Sequence, residues 1–210
     1  MLRPGSAIVA IFVLLGCQRV ERASAVNDSV PATSDSGATS KDVVVPSGPA
    51  AKSDGCADRT IREASVGKIA IGDPVSAVRK CHVVRDTIVA AGEGSRIRTL
   101  FVALAADTVA AEIVDGRVWR IAVSSPGIRT VDSLGVGTSL RRLLQVSDPR
   151  GASGEGRMFV LSPDHCGQSF EISHFGPMPR GGWTRAALAK LPETTHVIGV
   201  LVNSCHPELY

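Results

Sequence analysis

Cysteine and histidine are the residue types here with the widest chemical reach, and each occurs five times: Cys17, Cys56, Cys81, Cys166 and Cys205, with His82, His165, His174, His196 and His206. Thiolate and imidazole ligands suit zinc or copper, and His165-Cys166 with His174 and Cys205-His206 form one conceivable ligand set. Structural zinc sites, however, usually separate their paired ligands by two to four residues, whereas these are adjacent in sequence. With Cys17 set aside, four cysteines remain. An even count in an exported domain reads as two disulfides with three connectivities open. If strands over 168–175 and 196–203 are antiparallel neighbours, Cys166 enters one where Cys205 leaves the other, which leaves Cys56 for Cys81. Neither a metal nor a cofactor is expected.

Catalysis lacks a comparable pattern. No serine sits in a Gly-x-Ser-x-Gly elbow, no two carboxylates share a helix face, and the histidines read as strand or loop residues, so no catalytic residues are assigned. "GASGEGRM" lacks the spacing and lysine of a phosphate-binding loop and reads as a loop before a strand. The net charge is +3. Residues 56–210 hold 18 Lys or Arg against 15 Asp or Glu, and 15 of those cations are Arg. They are dispersed among acids and apolar residues with few aromatics nearby, which argues against nucleic-acid binding.

The elements that must hold these residues begin after a distinctive start. Arg3 precedes an apolar run from Ala7 to Leu15, then Gly16 and Cys17. Such a run is short of the roughly 20 residues a membrane-spanning helix needs and matches a signal-peptide core. Its end, "LLGC", resembles the lipobox of bacterial lipoproteins. That resemblance implies a signal peptide over 1–16 and acylation of Cys17, including palmitate, after cleavage. Several acyl chains on one residue give stable anchoring. Gln18 after the cysteine implies sorting to the periplasmic face of an outer membrane. Residues 17–55 are Ser-, Ala-, Asp-, Pro- and Gly-rich with few large apolar side chains, the composition of a disordered linker.

Residues 56–210 read as a single α+β domain: an antiparallel sheet with helices on one face. "IAIGDPVSAVRK" and "LGVGTSLRRLLQ" match at an offset of 65 residues, Gly72 over Gly137, Val75 over Leu140 and Val78 over Leu143. This predicts two related helix-then-strands half-units, about 56–125 and 126–210. Asp73 with Pro74 suits a helix N-cap and first position, and Thr138 repeats the cap. Strands are expected near 97–104, 157–162, 168–175 and 196–203, with a short helix near 184–191. For "DTVAAEIVDGRVWRIAVSS", a three-residue loop Val114–Gly116 with left-handed Gly116 keeps Val109, Ala111 and Ile113 on the face of Trp119 and Ile121.

"VWRIAVSSPGIRTVDSLGVGTSLRRLL", residues 118–144, resembles a pattern found in small uncharacterised cell-envelope lipoproteins. More distantly, the helix-then-strands unit is similar to outer-membrane assembly lipoproteins and β-lactamase inhibitor proteins. The Leu-Gly-x-Pro turn of the assembly lipoproteins is missing here, replaced by "VRKCHVV" and "LLQVSDP". These resemblances imply a lipid-anchored, non-catalytic binding or accessory module with an envelope protein partner. An inhibitor of an exported enzyme is the alternative, and a metal or thiol protein is a third reading. The candidate binding surface comprises Arg96, Arg98, Arg117, Arg120 and Arg129, with Met178 and Trp183 from the loop "HFGPMPRGGW"; the arginines read equally as a solvated face, and Met178 and Trp183 equally as core plugs.

Overall fold

Glycines at tight turns and alternating apolar residues dominate from residue 56 onward, and the result is mostly strand. The structure, a computed structural model, describes residues 56–90, 95–146, 148–154 and 156–206. The expected signal segment 1–16, Cys17 and the expected linker 17–55 lie outside the described residues.

A small sheet has the order β3-β2-β1-β8, from β1 (Thr60–Arg62), β2 (Ser65–Val66), β3 (Ile69–Ala70) and β8 (Arg129–Thr130). Its β1–β8 pair is parallel. The large sheet is antiparallel and eight-stranded. It is built from β4 (Val84–Ala90), β5 (Arg96–Leu104), β6 (Asp107–Val114), β7 (Arg117–Val123), β9 (Arg150–Gly154), β10 (Arg157–Leu161), β11 (Gln168–Ile172) and β12 (Val197–Val202). The order is β4-β5-β6-β7-β12-β11-β10-β9, so two four-stranded meanders join edge to edge through β7 and β12.

The expected α+β layer of helices is therefore corrected. The helices are α1 (Val75–Cys81), α2 (Leu140–Leu143) and α3 (Arg185–Leu188), of seven, four and four residues. At one or two turns they bury only Val78, Leu140, Leu143 and Leu188, too little to make a layer. The predicted caps move by one residue for the same reason at both sites. Asp73 and Thr138 turn back and accept from the backbone N–H three residues earlier, Ala70 and Gly135. Pro74 and Ser139 become the capping positions.

Matching bonds run through both halves. Gly72 N–H reaches Val118 O as Gly137 N–H reaches Val197 O; Val75 N–H reaches Gly116 O as Leu140 N–H reaches Thr195 O. Equivalent bridges pair Pro74 with Arg117 and Ser139 with His196. Ala122 and Leu201 hold corresponding places and pair with each other where the meanders meet. The two meanders thus sit about a local two-fold that passes through this pair.

The Asp115-Gly116 loop also departs from expectation. Val114 pairs directly with Arg117, and Asp115 and Gly116 take φ of 50° and 74°. This is a two-residue turn of the hand that follows the strand twist, and Asp-Gly is among the sequences best able to form it. The extra residue lies in β7 instead: Ile113 pairs Val118, Glu112 pairs Arg120, and Trp119 bulges between. That bulge restores the apolar register, so Val118, Ile121 and Val123 join Val109, Ala111 and Ile113 in the core while Trp119 leaves it. The second half repeats the device, with Ile198 between Val197 opposite Ile172 and Gly199 opposite Glu171. "GASGEGRM" is not merely a loop, since Arg150–Gly154 forms the edge strand β9 on β10. Gly151 permits this: a Cβ there would lie 2.4 Å from the Trp183 Cβ.

One face of the large sheet carries Leu100, Val102, Leu104, Phe170, Ile172, Met158, Val160 and Val200 into a core shared with Ile61, Val66 and Ile69 of the small sheet. The other face lies outside that core cluster; its side chains are mostly half-buried, and Leu201 at its centre is 9% exposed.

Candidate functional site

Strand alternation assigns the face turned away from the core. It presents Arg85, Phe101, Ala110, Glu112, Arg120, Ala122, Leu201, Ser169, Glu171, Arg157, Phe159 and Leu161, each on the opposite parity to a core neighbour. Charge on it is largely neutralised internally. Arg120 makes two hydrogen bonds to the Glu112 carboxylate, at 3.0 and 2.8 Å. Arg157 makes the same fork to Glu171, the corresponding glutamate of the second half. The Arg85 guanidinium lies 4.5 Å over the Phe101 ring, and that of Arg157 lies 5.2 Å over Phe159.

Trp119 stands beside the centre of this face. It is 59% exposed, an unusual position for an indole, and it walls a cleft of about 270 Å³ with Leu161, Gly167, Ser169, Asn203, Ser204 and His206. The wall opposite is positioned by the Cys166–Cys205 disulfide, whose Cα atoms are 5.0 Å apart. That bond ties the entry to β11 to the exit from β12, and Asn203 N–H closes the same end by donating to Gly167 O at 2.8 Å. Gly167 has φ of 78°, and a Cβ on it would lie 2.4 Å from Glu63 O and 2.7 Å from Asn203 O, so only glycine lets the two chain segments approach. The second disulfide joins Cys56 to Cys81 at the end of α1. With their sulfurs bonded to each other, Cys166 and Cys205 offer no thiolate, although the Glu63 carboxylate lies close by.

The arginines expected to form one surface are dispersed, and most are occupied. Arg98 holds Asp86 through two bonds, and that hydrogen bond, with the charges of Arg98 and Arg79, keeps the Asp86 carboxyl below its usual range. Arg117 donates to Gly72 O, bracing the turn before α1. Arg129 donates to Ser133 O, Val136 O and the Thr138 hydroxyl, locking the loop from β8 to α2. Arg96 is exposed at the start of β5. Arg120 faces the open side of the sheet beside Trp119, and Arg117, opposite Val114 on the same parity, lies at the strand's end with its guanidinium on Gly72 O. Met178 is exposed, but Trp183 is 8% exposed and packs on Gly151 and Leu188 in the core, with His174 edge-on to its ring. Of its two readings Trp183 thus takes the core one, as a buried plug and not a contact residue.

Two polar clusters remain. Ser173 Oγ lies 3.2 Å from His196 Nδ1, but that nitrogen is 2.8 Å from Thr194 O and must carry its proton to make that bond. It cannot then accept the serine proton. His165, buried and edge-on to Phe170, lies 3.3 Å from Asp132 across a cleft of about 470 Å³. Burial works to raise the Asp132 carboxyl, and the Thr130 hydroxyl and His165 outweigh it, holding it below its usual range. The contact clips the loop after β8 to the turn before β11.

No family model matches the chain, and no curated protein matches it. A solved structure with a similar chain is the uncharacterized protein yfeY from Escherichia coli. The likeness has a TM-score of 0.48 at 17% identity and covers 69% of this chain and 99% of that one.

Proposed function

We infer that the protein is a lipid-anchored, non-catalytic binding module of the bacterial cell envelope, held by Cys17 at the periplasmic face of an outer membrane. The observation that carries the reading is the face of the eight-stranded sheet turned away from the core, with Ala122 and Leu201 at its centre, Trp119 exposed beside them, and the Arg120–Glu112 and Arg157–Glu171 pairs on either side. Binding surfaces draw on exposed aromatic anchors with paired or rim charges, and Trp119 is such an anchor. The "LLGC" motif supports the anchor, and two disulfides suit an oxidising compartment. Among the described residues no helix is long and apolar enough to cross a membrane.

Two experiments test the reading. Labelling cells with radioactive palmitate should mark the wild-type chain, and Cys17→Ser should abolish the label and release the protein from membranes; a labelled serine variant refutes the anchor. A photo-reactive residue at Phe159, on the open face, should give a discrete adduct in intact cells, whereas one at Val131, exposed elsewhere, should not. Equal adducts at both positions contradict the face. An adduct with an exported hydrolase whose activity falls on binding makes the module an inhibitor.

A further inference from the structure

We propose that the cleft beside Trp119 binds one neutral pyranose ring of an envelope glycan. The proposal rests on the binding-module reading and names the ligand class of its central site.

A pyranose ring has two kinds of surface. Its faces carry C–H groups and are apolar, whereas its rim carries hydroxyls that both donate and accept. A complementary site therefore needs a flat aromatic platform and polar side chains at its edge. Trp119 supplies the platform: the bulge in β7 turns it out of the core, and 59% of it is exposed. Among the described residues no other aromatic ring stacks on it. Asn203, Ser169, Ser204 and His206 stand around the same cleft. An amide and two hydroxyls offer donors and acceptors together, which suits hydroxyls better than it suits an apolar side chain. Leu161 completes the wall and can meet the second C–H face or an exocyclic methylene.

Size and charge narrow the class. At about 270 Å³ the cleft falls just below the ~300 Å³ lower end of pockets for drug-sized ligands, room for a single ring with its substituents. The cation next to it, Arg120, is committed by two bonds to Glu112, and across the sheet Arg157 is committed to Glu171. An anionic sugar would have to break such a fork to find a counter-charge, whereas a neutral ring leaves both intact. The corresponding bulge of the second half carries Ile198 in place of Trp119, and Ala122 pairs with Leu201 between the two bulges. An aliphatic side chain gives no flat platform, so the local two-fold offers one ring site rather than two.

The test uses the full chain purified in detergent. The protein has two tryptophans, and Trp183 is buried, so a ligand-induced change in fluorescence reports Trp119. Titration with chitotriose and with maltotriose, two neutral oligosaccharides, should give a saturable change with at least one of them, confirmed by calorimetry. Asn203→Ala should weaken that binding about tenfold while leaving the reporter in place. Trp119→Ala should abolish the calorimetric signal without altering the far-ultraviolet dichroism spectrum. Silence with both sugars, or equal binding by the two variants and the wild type, overturns the proposal. Tighter binding of glucose 6-phosphate than of either oligosaccharide overturns the neutral-ring assignment. If both sugars are silent while Phe159 still photo-crosslinks to a polypeptide, the glycan inference falls and the binding-module reading stands; if neither responds, both fall.

Discussion

Breaking the two disulfides one at a time separates stability from site geometry. The bonds enclose chain separations of 25 and 39 residues. In the chain-entropy account these loops correspond to roughly 3.5 and 3.9 kcal/mol withdrawn from the unfolded ensemble. The pair Cys56→Ser with Cys81→Ser and the pair Cys166→Ser with Cys205→Ser should therefore destabilise the protein almost equally. At about 2 to 4 °C per kcal/mol for a domain of this size, each should lower Tm by roughly 7 to 15 °C. The effects diverge at the cleft. Cys166 and Cys205 hold β11's entry against the segment carrying Asn203, Ser204 and His206, whereas neither Cys56 nor Cys81 adjoins a residue that lines the cleft in sequence. Both variants can be followed by calorimetry and by acrylamide quenching of tryptophan fluorescence well below Tm. Only loss of Cys166–Cys205 should change quenching of Trp119. Equal changes in quenching, or a stability loss below about 1 kcal/mol in either pair, would refute this reasoning.

Other substitutions test local claims. Gly116→Ala places a side chain at φ of 74° in the β6–β7 turn with nothing within 4 Å of the new Cβ, so its cost of about 1 kcal/mol in a urea melt should come from the backbone alone. Gly151→Ala puts a Cβ 2.4 Å from that of Trp183 and should cost about 1 to 3 kcal/mol through displacement of a packed ring, with a red-shifted Trp183 emission. Asp58 should contribute to acid unfolding. The Thr60 N–H bond, with help from Arg62, lowers its pKa from 3.8 to about 2. Because the folded value is depressed, the contribution is present above pH 4 and is lost as pH falls toward 2. Solvent screening limits it to less than about 1 kcal/mol. Asp58→Asn should flatten the stability profile between pH 4 and 2 and leave its shape above pH 5 unchanged.

What the sequence made legible is local or alternating. Val109, Ala111 and Ile113 announce a half-buried strand, and the even cysteine count with the adjacency of β11 and β12 pointed to the bonds that occur. The helix patterns at "IAIGDPVSAVRK" and "LGVGTSLRRLLQ" were legible as elements but misleading as to weight. Apolar spacing of three continues across residues whose backbone is already committed to turns, so α1 and α2 stop at seven and four residues. The arginine surface failed for a different reason. An arginine's partner is set by strand register, and Asp86, Glu112 and the carbonyls around Arg129 come within reach only after the sheet and loops close. An extra residue in the Asp115-Gly116 turn would put Trp119 on the core face, whereas the bulge in β7 turns it out. Its signal was present: a two-residue Asp-Gly turn leaves the apolar sets of β6 and β7 out of phase, and a bulge at Trp119 is the other way to restore them.

A binding module of this kind requires its open sheet face to be occupied in the cell. Hydroxyl-radical footprinting of Trp119, Phe159 and Val131 in intact cells, compared with the purified chain, measures this directly. Trp119 and Phe159 should become several-fold less reactive in cells while Val131, 82% exposed, should not change. Unchanged reactivity of Trp119 and Phe159, or protection at all three positions alike, would contradict that occupancy.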